Sequence, residues 1–248
     1  MDDRALADQV RTLFDTKAAG WPEKYVADGR LVGRLAQLAG AAGDLSAVGG
    51  ELLDLGCGSG ELARHLAAAG YRVTGCDIAP RMLSQAAAAD REHAVRWIRL
   101  EPGWRALPVA AGSLDAVVAA SVLEYVQDPA AVLGECARVL RPGGVLLCTV
   151  PNLTHPVRWL EWSLSLAART PLASIARSAP RRAGQYLAYL RISRQRRRVR
   201  WWHAAAKGAG LEPASVPPAW GAPREPLRLL VFTRSGVASG CQLDTRGG

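Results

Sequence analysis

The stretch Glu51-Leu-Leu-Asp-Leu-Gly-Cys-Gly-Ser-Gly60 restricts the possible folds of this chain more than any other. Leu52, Leu53 and Leu55 form a short apolar run, the pattern of a strand covered on both faces in a parallel sheet. The glycines at 56, 58 and 60 then let the backbone turn sharply beneath a ligand and enter a helix. Residues 71–76 read as a second strand, and Asp77 closes it about 20 residues beyond the first glycine, where a carboxylate accepts hydrogen bonds from ribose hydroxyls. One βαβ unit with a nucleoside site at its turn is the expected centre of the fold.

Spacing narrows the ligand. In dinucleotide-binding turns the pattern is G-x-G-x-x-G, whereas Gly56-Cys57-Gly58-Ser59-Gly60 places its third glycine one residue earlier. A pyrophosphate also favours a helix start without negative charge, while Glu61 and the acids around the loop suit a ligand carrying a sulfonium and an amino-carboxylate.

Downstream, residues 80–89 read as a helix opened by Pro80, 95–100 as a third strand, 114–120 as a fourth, 129–140 as a helix and 145–150 as a fifth strand, with Arg141-Pro-Gly-Gly144 as a turn. Residues 201–210 form a helix before strand six, and 227–233 is the closing strand. Upstream, apolar positions at helical spacing predict helices over 2–14 and 28–39.

Five pieces appear in a familiar order: Asp54-Leu-Gly-Cys-Gly-Ser-Gly60, Gly75-Cys-Asp77-Ile-Ala-Pro-Arg-Met82, Ala106-Leu-Pro108 with Ser113-Leu-Asp115, Ser121-Val-Leu-Glu-Tyr125, and Arg138-Val-Leu-Arg-Pro-Gly-Gly144. On these the chain resembles the class I S-adenosylmethionine-dependent methyltransferases, small-molecule branch. The resemblance covers roughly residues 50–151. It implies an α/β, doubly wound, Rossmann-like sheet of seven strands in the order 3-2-1-4-5-7-6, with a helical basic insertion after strand five. The implied organisation is N-terminal helices over the cofactor (1–40), an S-adenosylmethionine-binding core (41–152), a cap insertion (153–200), completion of the sheet (201–235) and a tail (236–248).

The cofactor residues that the resemblance implies are Asp54, Gly56, Cys57, Gly58, Gly60, Asp77, Ile78, Met82 and Ser121. Adenine recognition departs from the pattern. Where relatives place an acid and a small residue, four before Leu-Pro, this chain has Gly103 and Trp104, so Glu101 is assigned to the amino group and Trp104 to the base face. The segment between the first two helices is similar to one that closes over the cofactor, and either Trp21 or Tyr25 is placed against ligand.

For the acceptor, Glu124 and Tyr125 follow strand four, on the edge where open parallel sheets collect ligands. Several relatives carry Glu-His there. Tyr125 is a poorer base, because a phenol with an unperturbed pKa near 10 is mostly neutral at pH 7. His155, just past strand five, is the preferred base for an O-acceptor, against the alternative of a loop histidine that contacts only solvent or backbone. Trp159, Trp162 and Tyr25 complete the expected acceptor contacts. Asp128 and Asn152 do not make a metal-binding set, and no metal is expected.

Charge is unevenly placed. Residues 154–207 hold twelve Lys or Arg and one acid, Glu161, for a net charge of +11, while the remaining residues sum to −2. That insertion supports an acidic or carrier-bound small acceptor drawn by electrostatic steering, a peripheral membrane contact through 157–200 with a lipid-linked acceptor, or a solvated face with no partner. RNA ranks last, because no nucleic-acid module is recognisable. Five cysteines without a C-x-x-C pair, an acidic N-terminus without an apolar signal core, and no long apolar run lead to the expectation of a reduced, cytoplasmic protein. Together these predict methyl transfer to a hydroxyl of a small acceptor, such as a natural product. The alternatives are N- or C-methylation of a lipid-linked or carrier-bound acceptor, and a catalytically silent binding module.

Overall fold

The computed structural model describes residues 3–23, 33, 37–42, 49–167, 186, 189–193, 195–214 and 226–236, with side chains 162 and 164–167 excepted. Within them lie β1 (Glu51–Leu55), α2 (Glu61–Ala68), β2 (Arg72–Asp77), α3 (Pro80–Ala89), β3 (Val95–Arg99), β4 (Leu114–Ala119), α4 (Pro129–Val139) and β5 (Leu140–Pro151). α1 (Asp3–Lys17) precedes them, and α5 (Pro156–Ala167), α6 (Val199–Gly208), β6 (Leu211–Pro213) and β7 (Leu227–Arg234) follow. The strands form one sheet in the order β3-β2-β1-β4-β5-β7-β6, as the resemblance implies. β1 pairs in parallel with β2 and β4, whereas β7 runs antiparallel to β5 and β6.

Strand alternation divides the core between the two faces of the sheet. Leu53, Leu55, Val117, Ala119, Leu146 and Cys148 face α4 and α6, where they meet Leu133, Val139 and Trp202. Leu52, Ala116, Val118, Val145 and Leu147 face the other way, toward Leu62, Ala63 and Leu66 of α2. Because both faces are covered, the inner strands read as continuous apolar runs rather than alternating ones.

Two local features differ from the expectations. Arg141-Pro-Gly-Gly144 is not a separate turn; it lies within β5, between the pairs Leu114 with Leu140 and Ala116 with Val145. The strand bulges there, and a Cβ on Gly144 would stand 2.9 to 3.1 Å from the carbonyl oxygens of Arg141, Asp115 and Leu114, so only glycine fits. Asp115, the one acid in β4, braces the bulge by accepting from Arg141 and from the amide of Glu51, each at 2.7 Å. Of the expected 28–39 helix, residues 33 and 37–39 are helical, the latter within a helical stretch 37–42, and the rest lies outside the described residues, as does nearly all of the 236–248 tail. Among the described residues no helix is long and apolar enough to cross a membrane.

Candidate active site

A cavity of about 1090 Å³ opens beyond the C-terminal ends of β1, β2, β3 and β4, where open α/β sheets bind ligands. Its roof is α1, whose Leu6, Val10, Phe14 and Lys17 recur at helical spacing and line the space. Asp15 anchors that roof by accepting from the Arg81 amide at the start of α3 (2.9 Å). The far wall comes from Val157, Arg158 and Glu161 of α5 and from Tyr186 and Tyr189, while residues 168–185 of the expected 153–200 insertion lie outside the described residues.

At one end stand Asp54, Gly56, Cys57, Gly58, Asp77, Ile78, Met82, Trp104 and Ser121. Asp77 ties the glycine loop to β2: its Oδ2 accepts from Gly58 N (2.9 Å) and its Oδ1 from Ala79 N (2.8 Å). Trp21 also lines this end, beside Phe14, with centroids 5.6 Å apart. Asp54 is 2% exposed, and its Oδ2 has no hydrogen-bond partner among the described residues. Burial, reinforced by the charges of Asp77 and Glu61, pushes its carboxyl up to about 7. A buried carboxylate without a cation is costly, and an ammonium or sulfonium in the cavity would relieve it. The residues present therefore fit S-adenosylmethionine.

Two of the expected cofactor residues serve elsewhere. Gly60 does not line the cavity; it begins α2 with a φ of 78°, and a Cβ there would collide with the Trp97 ring and Ala86. Its role is to bring the helix close to β3. Glu101 points outward, with its side chain 75% exposed and 3.8 Å from Arg99, because the turn that closes on Trp104 N leaves it on the rim. Trp104 alone of that pair faces the cavity, packed against the apolar core. Glu61 also faces away, accepting the Ser59 hydroxyl at 2.7 Å.

The opposite end is polar and aromatic. Arg158, 7% exposed, donates to Glu161 (2.8 Å), to the Tyr189 hydroxyl (3.3 Å) and twice to the Pro226 carbonyl. The Tyr189 hydroxyl lies 3.4 Å from Glu124 Oε2, which also accepts from Ser193 Oγ at 3.1 Å, while Tyr186 donates to Glu161. Burial pushes the Glu124 carboxyl up, opposed by the Arg158 charge and the Ser193 bond. Tyr125 packs edge-on against Phe14 and Tyr189, with centroids 5.3 and 6.1 Å apart. Burial beside Glu124 holds its phenol well above the usual range, which keeps it neutral at pH 7.

His155 lines the cavity, but its Nδ1 accepts from the Val157 amide (3.2 Å) as the cap of α5. A neutral imidazole bonded this way carries its proton on Nε2, so its basic nitrogen is already engaged. The alternative of a backbone-contacting loop histidine describes it better than a base. Trp159 stands outside the cavity, 70% exposed, because α5 turns Val157, Arg158 and Glu161 inward and its neighbouring positions outward. Tyr25 and the Trp162 side chain lie outside the described residues.

Lys17, Arg158, Tyr186 and Tyr189 were not anticipated. A cation in line with the apolar positions of α1, and an Arg-Glu pair three apart in an otherwise apolar helix, were the available signals. Ser121, an expected cofactor residue, has a φ of 56°, uncommon for a residue with a side chain, and its amide donates to Thr149 Oγ1 at 2.7 Å. Among the described residues no cluster of three or more His, Cys, Asp or Glu is arranged to hold a metal, and Cys57, Cys76, Cys136 and Cys148 are buried free thiols.

Comparison with known proteins agrees with this geometry. Residues 53–148 match the family described as "Methyltransferase domain". A ubiquinone biosynthesis O-methyltransferase of Bordetella bronchiseptica is 32% identical over 189 residues, covering 74% of this chain and 70% of that protein. The chain is a class I S-adenosylmethionine-dependent methyltransferase by family. A protein of the same name from Xanthomonas oryzae is 37% identical over 111 residues, 44% of this chain, and the match spans about half of that relative, 46%. Among solved structures, magnesium protoporphyrin IX methyltransferase from Synechocystis with bound S-adenosylhomocysteine superposes with a TM-score of 0.65 at 18% identity, covering 91% of this chain and 98% of that one. A putative methyltransferase of Haloferax volcanii, solved in complex with the Trm112 activator, gives 0.62 at 23% identity over 90% and 97%. At these identities the structures speak for the fold alone.

Proposed function

We propose that the chain transfers a methyl group from S-adenosylmethionine to a hydroxyl of a small aromatic acceptor. The observation that carries the reading is the aromatic wall formed by Phe14, Tyr125, Tyr186 and Tyr189 around the half of the cavity beyond the glycine loop. Flat rings stack or pack edge-on against such a wall, and Lys17, 5.8 Å from the Tyr189 ring centroid, sets a positive charge beside it. When bound, the cofactor supplies an electrophilic methyl carbon on a sulfonium. Asp54 and Asp77 would hold its cationic and ribose groups, and the aromatic wall would aim the acceptor oxygen at the methyl in line. The names of the curated relatives, O-methyltransferases of ubiquinone biosynthesis, support a hydroxyl acceptor.

The test has two parts. Calorimetry with S-adenosylhomocysteine should show saturable binding, and its absence would favour the silent-module alternative. Labelled-methyl transfer to phenols, amines and thiols of matched shape should favour phenols. Preferential labelling of amines or carbon would replace the O-methyl reading.

One observation favours a second element. Trp159 and Leu160 are 70% and 58% exposed on α5, at the start of the insertion that carries the net charge of +11. An exposed tryptophan in a segment of the sequence rich in basic residues suits contact with an anionic bilayer and delivery of a lipid-linked acceptor. Salt-sensitive co-sedimentation with phosphatidylglycerol vesicles, lost in Trp159→Ser, tests it. Binding that Trp159→Ser leaves intact would set it aside.

A further inference from the structure

Of the cavity-lining groups able to accept a proton, most are already committed. Asp77 binds two backbone amides, and Asp128 caps α4 through Ala130 N and Ala131 N. Glu161 receives Arg158 on one oxygen and Tyr186 on the other. His155 caps α5 through Nδ1, and Asp54 stands on the glycine-loop side. Glu124 differs: it is 3% exposed, lies in the loop beyond β4 at the aromatic wall, and is bonded by neutral hydroxyls alone, Ser193 and Tyr189 on Oε2 and Tyr125 beside them, with neither a cation nor a backbone amide bound to it among the described residues.

We infer that Glu124 is the group that accepts the hydroxyl proton of the acceptor, and that Arg158, acting through Tyr189, is the residue that positions it. The inference rests on the hydroxyl reading above. The step balances as follows: the acceptor oxygen bonds to the methyl carbon, the carbon–sulfur pair returns to sulfur, and the O–H proton passes to the carboxylate. Every element packed against Glu124 bears on its protonation. Arg158 and Glu161 act on it from α5, Tyr189 and Ser193 bond it through their hydroxyls, and Tyr125 bonds it from the next position in the chain, while Tyr186 contacts Glu161 and Lys17 lies over the Tyr189 ring. Burial favours the acid while the Arg158 charge favours the carboxylate, and the net effect raises the basicity of the group. A side chain supports the placement: Gln195 Nε2 donates to the carbonyls of Val126 and Gln127, each at 2.9 Å, which holds Gln195 against the loop carrying Glu124.

The experiment uses the full chain with catechol as the probe acceptor and two readouts. The first is methyl transfer from about pH 5 to 9. Glu124→Gln should cut turnover by about 10²- to 10⁴-fold and remove the acidic limb of the profile, while S-adenosylhomocysteine affinity stays within about twofold by calorimetry. Arg158→Met should move the acidic limb to higher pH, because the cation that favours the carboxylate is gone, and Arg158→Lys should restore part of the shift. The second readout needs no turnover: the ¹³C resonance of the Glu124 carboxyl, assigned by its loss in Glu124→Gln, should titrate above the usual glutamate value of about 4.3 and rise further in Arg158→Met. A Glu124→Gln enzyme with an unaltered profile, or a carboxyl that titrates like an exposed glutamate, overturns the assignment. Failure of the wild type to methylate catechol or other phenols, with the carboxyl still titrating high, overturns the acceptor reading instead.

Discussion

At the cofactor end of the cavity Asp54, Gly56, Gly58 and Asp77 all belong to one βαβ unit, residues 51–77. At the acceptor end Lys17, Glu124, Arg158 and Tyr189 come from α1, the loop after β4, α5 and the 186–193 segment. The first end is held by short-range geometry, a loop hydrogen-bonded to the adjacent strand through Asp77. The second is held by side chains bonded to one another across long separations, with Arg158 as the hub. A site built mainly on one contiguous unit, with Trp21, Met82, Trp104 and Ser121 added at its edge, keeps its chemistry when the rest of the chain diverges. A site assembled from four segments is free to take a new acceptor when any one of them changes.

Several experiments would break or sharpen that contrast. The largest effect should come from Gly60→Val, which places a branched side chain at a φ of 78° and into the Trp97 ring. Denaturant unfolding should show a loss of about 3 kcal/mol or more together with loss of S-adenosylhomocysteine binding. A smaller loss would mean that the loop is less tightly packed than its geometry indicates.

Asp77→Ala should weaken S-adenosylhomocysteine binding by about 1.5 to 3 kcal/mol, since it removes both a charged acceptor and the tether of Gly58. Unchanged affinity in calorimetry would place the ribose elsewhere.

Asp54→Asn tests whether the partnerless carboxylate is maintained for a cation. The folded-state value of about 7 stands above the unfolded value of about 3.9, so the ligand-free fold binds a proton that the unfolded chain releases. The corresponding stability is full below about pH 4 and is lost as pH rises through about 7. The ligand-free Asn variant should therefore be more stable at pH 8 by about 1 to 3 kcal/mol, with a flatter pH dependence, yet bind S-adenosylhomocysteine about tenfold or more weakly. A variant that is both less stable and equally tight would reverse the interpretation.

Glu101→Gln should be the mildest change, within about 0.5 kcal/mol in stability and twofold in cofactor affinity, as expected for an exposed side chain near the rim. A large loss of affinity would return Glu101 to the adenine site.

The contrast between the two ends also explains what was legible beforehand. The first strand, the glycine loop and Asp77 could be read because each is a local requirement: an apolar strand, a backbone turn that needs glycine, a carboxylate at a set distance along the chain; the strand order came with the family resemblance. Gly60 was assigned to the ligand although it serves packing, because a positive φ and a nearby tryptophan ring look the same in sequence as a ligand-binding turn. His155 was read as a base because its residue type and position were visible, whereas the capping bond to Val157 was not. Trp159 was read as an acceptor contact because helical periodicity in an apolar stretch does not say which side faces the cavity.

The amino-acid sequence by itself determined the βαβ unit with its glycine turn and the concentration of positive charge after strand five, because these follow from backbone conformation, strand patterning and composition over short spans, while the seven-stranded order followed from the family resemblance. Only the tertiary structure decided that Lys17, Glu124, Arg158 and Tyr189 share one chamber and that Glu101 and Trp159 stand outside it. The rotation of α5 and the turn before Trp104 set which side chains are desolvated, and desolvation in turn makes Glu124 a candidate base while leaving the exposed acid at 101 an ordinary surface charge.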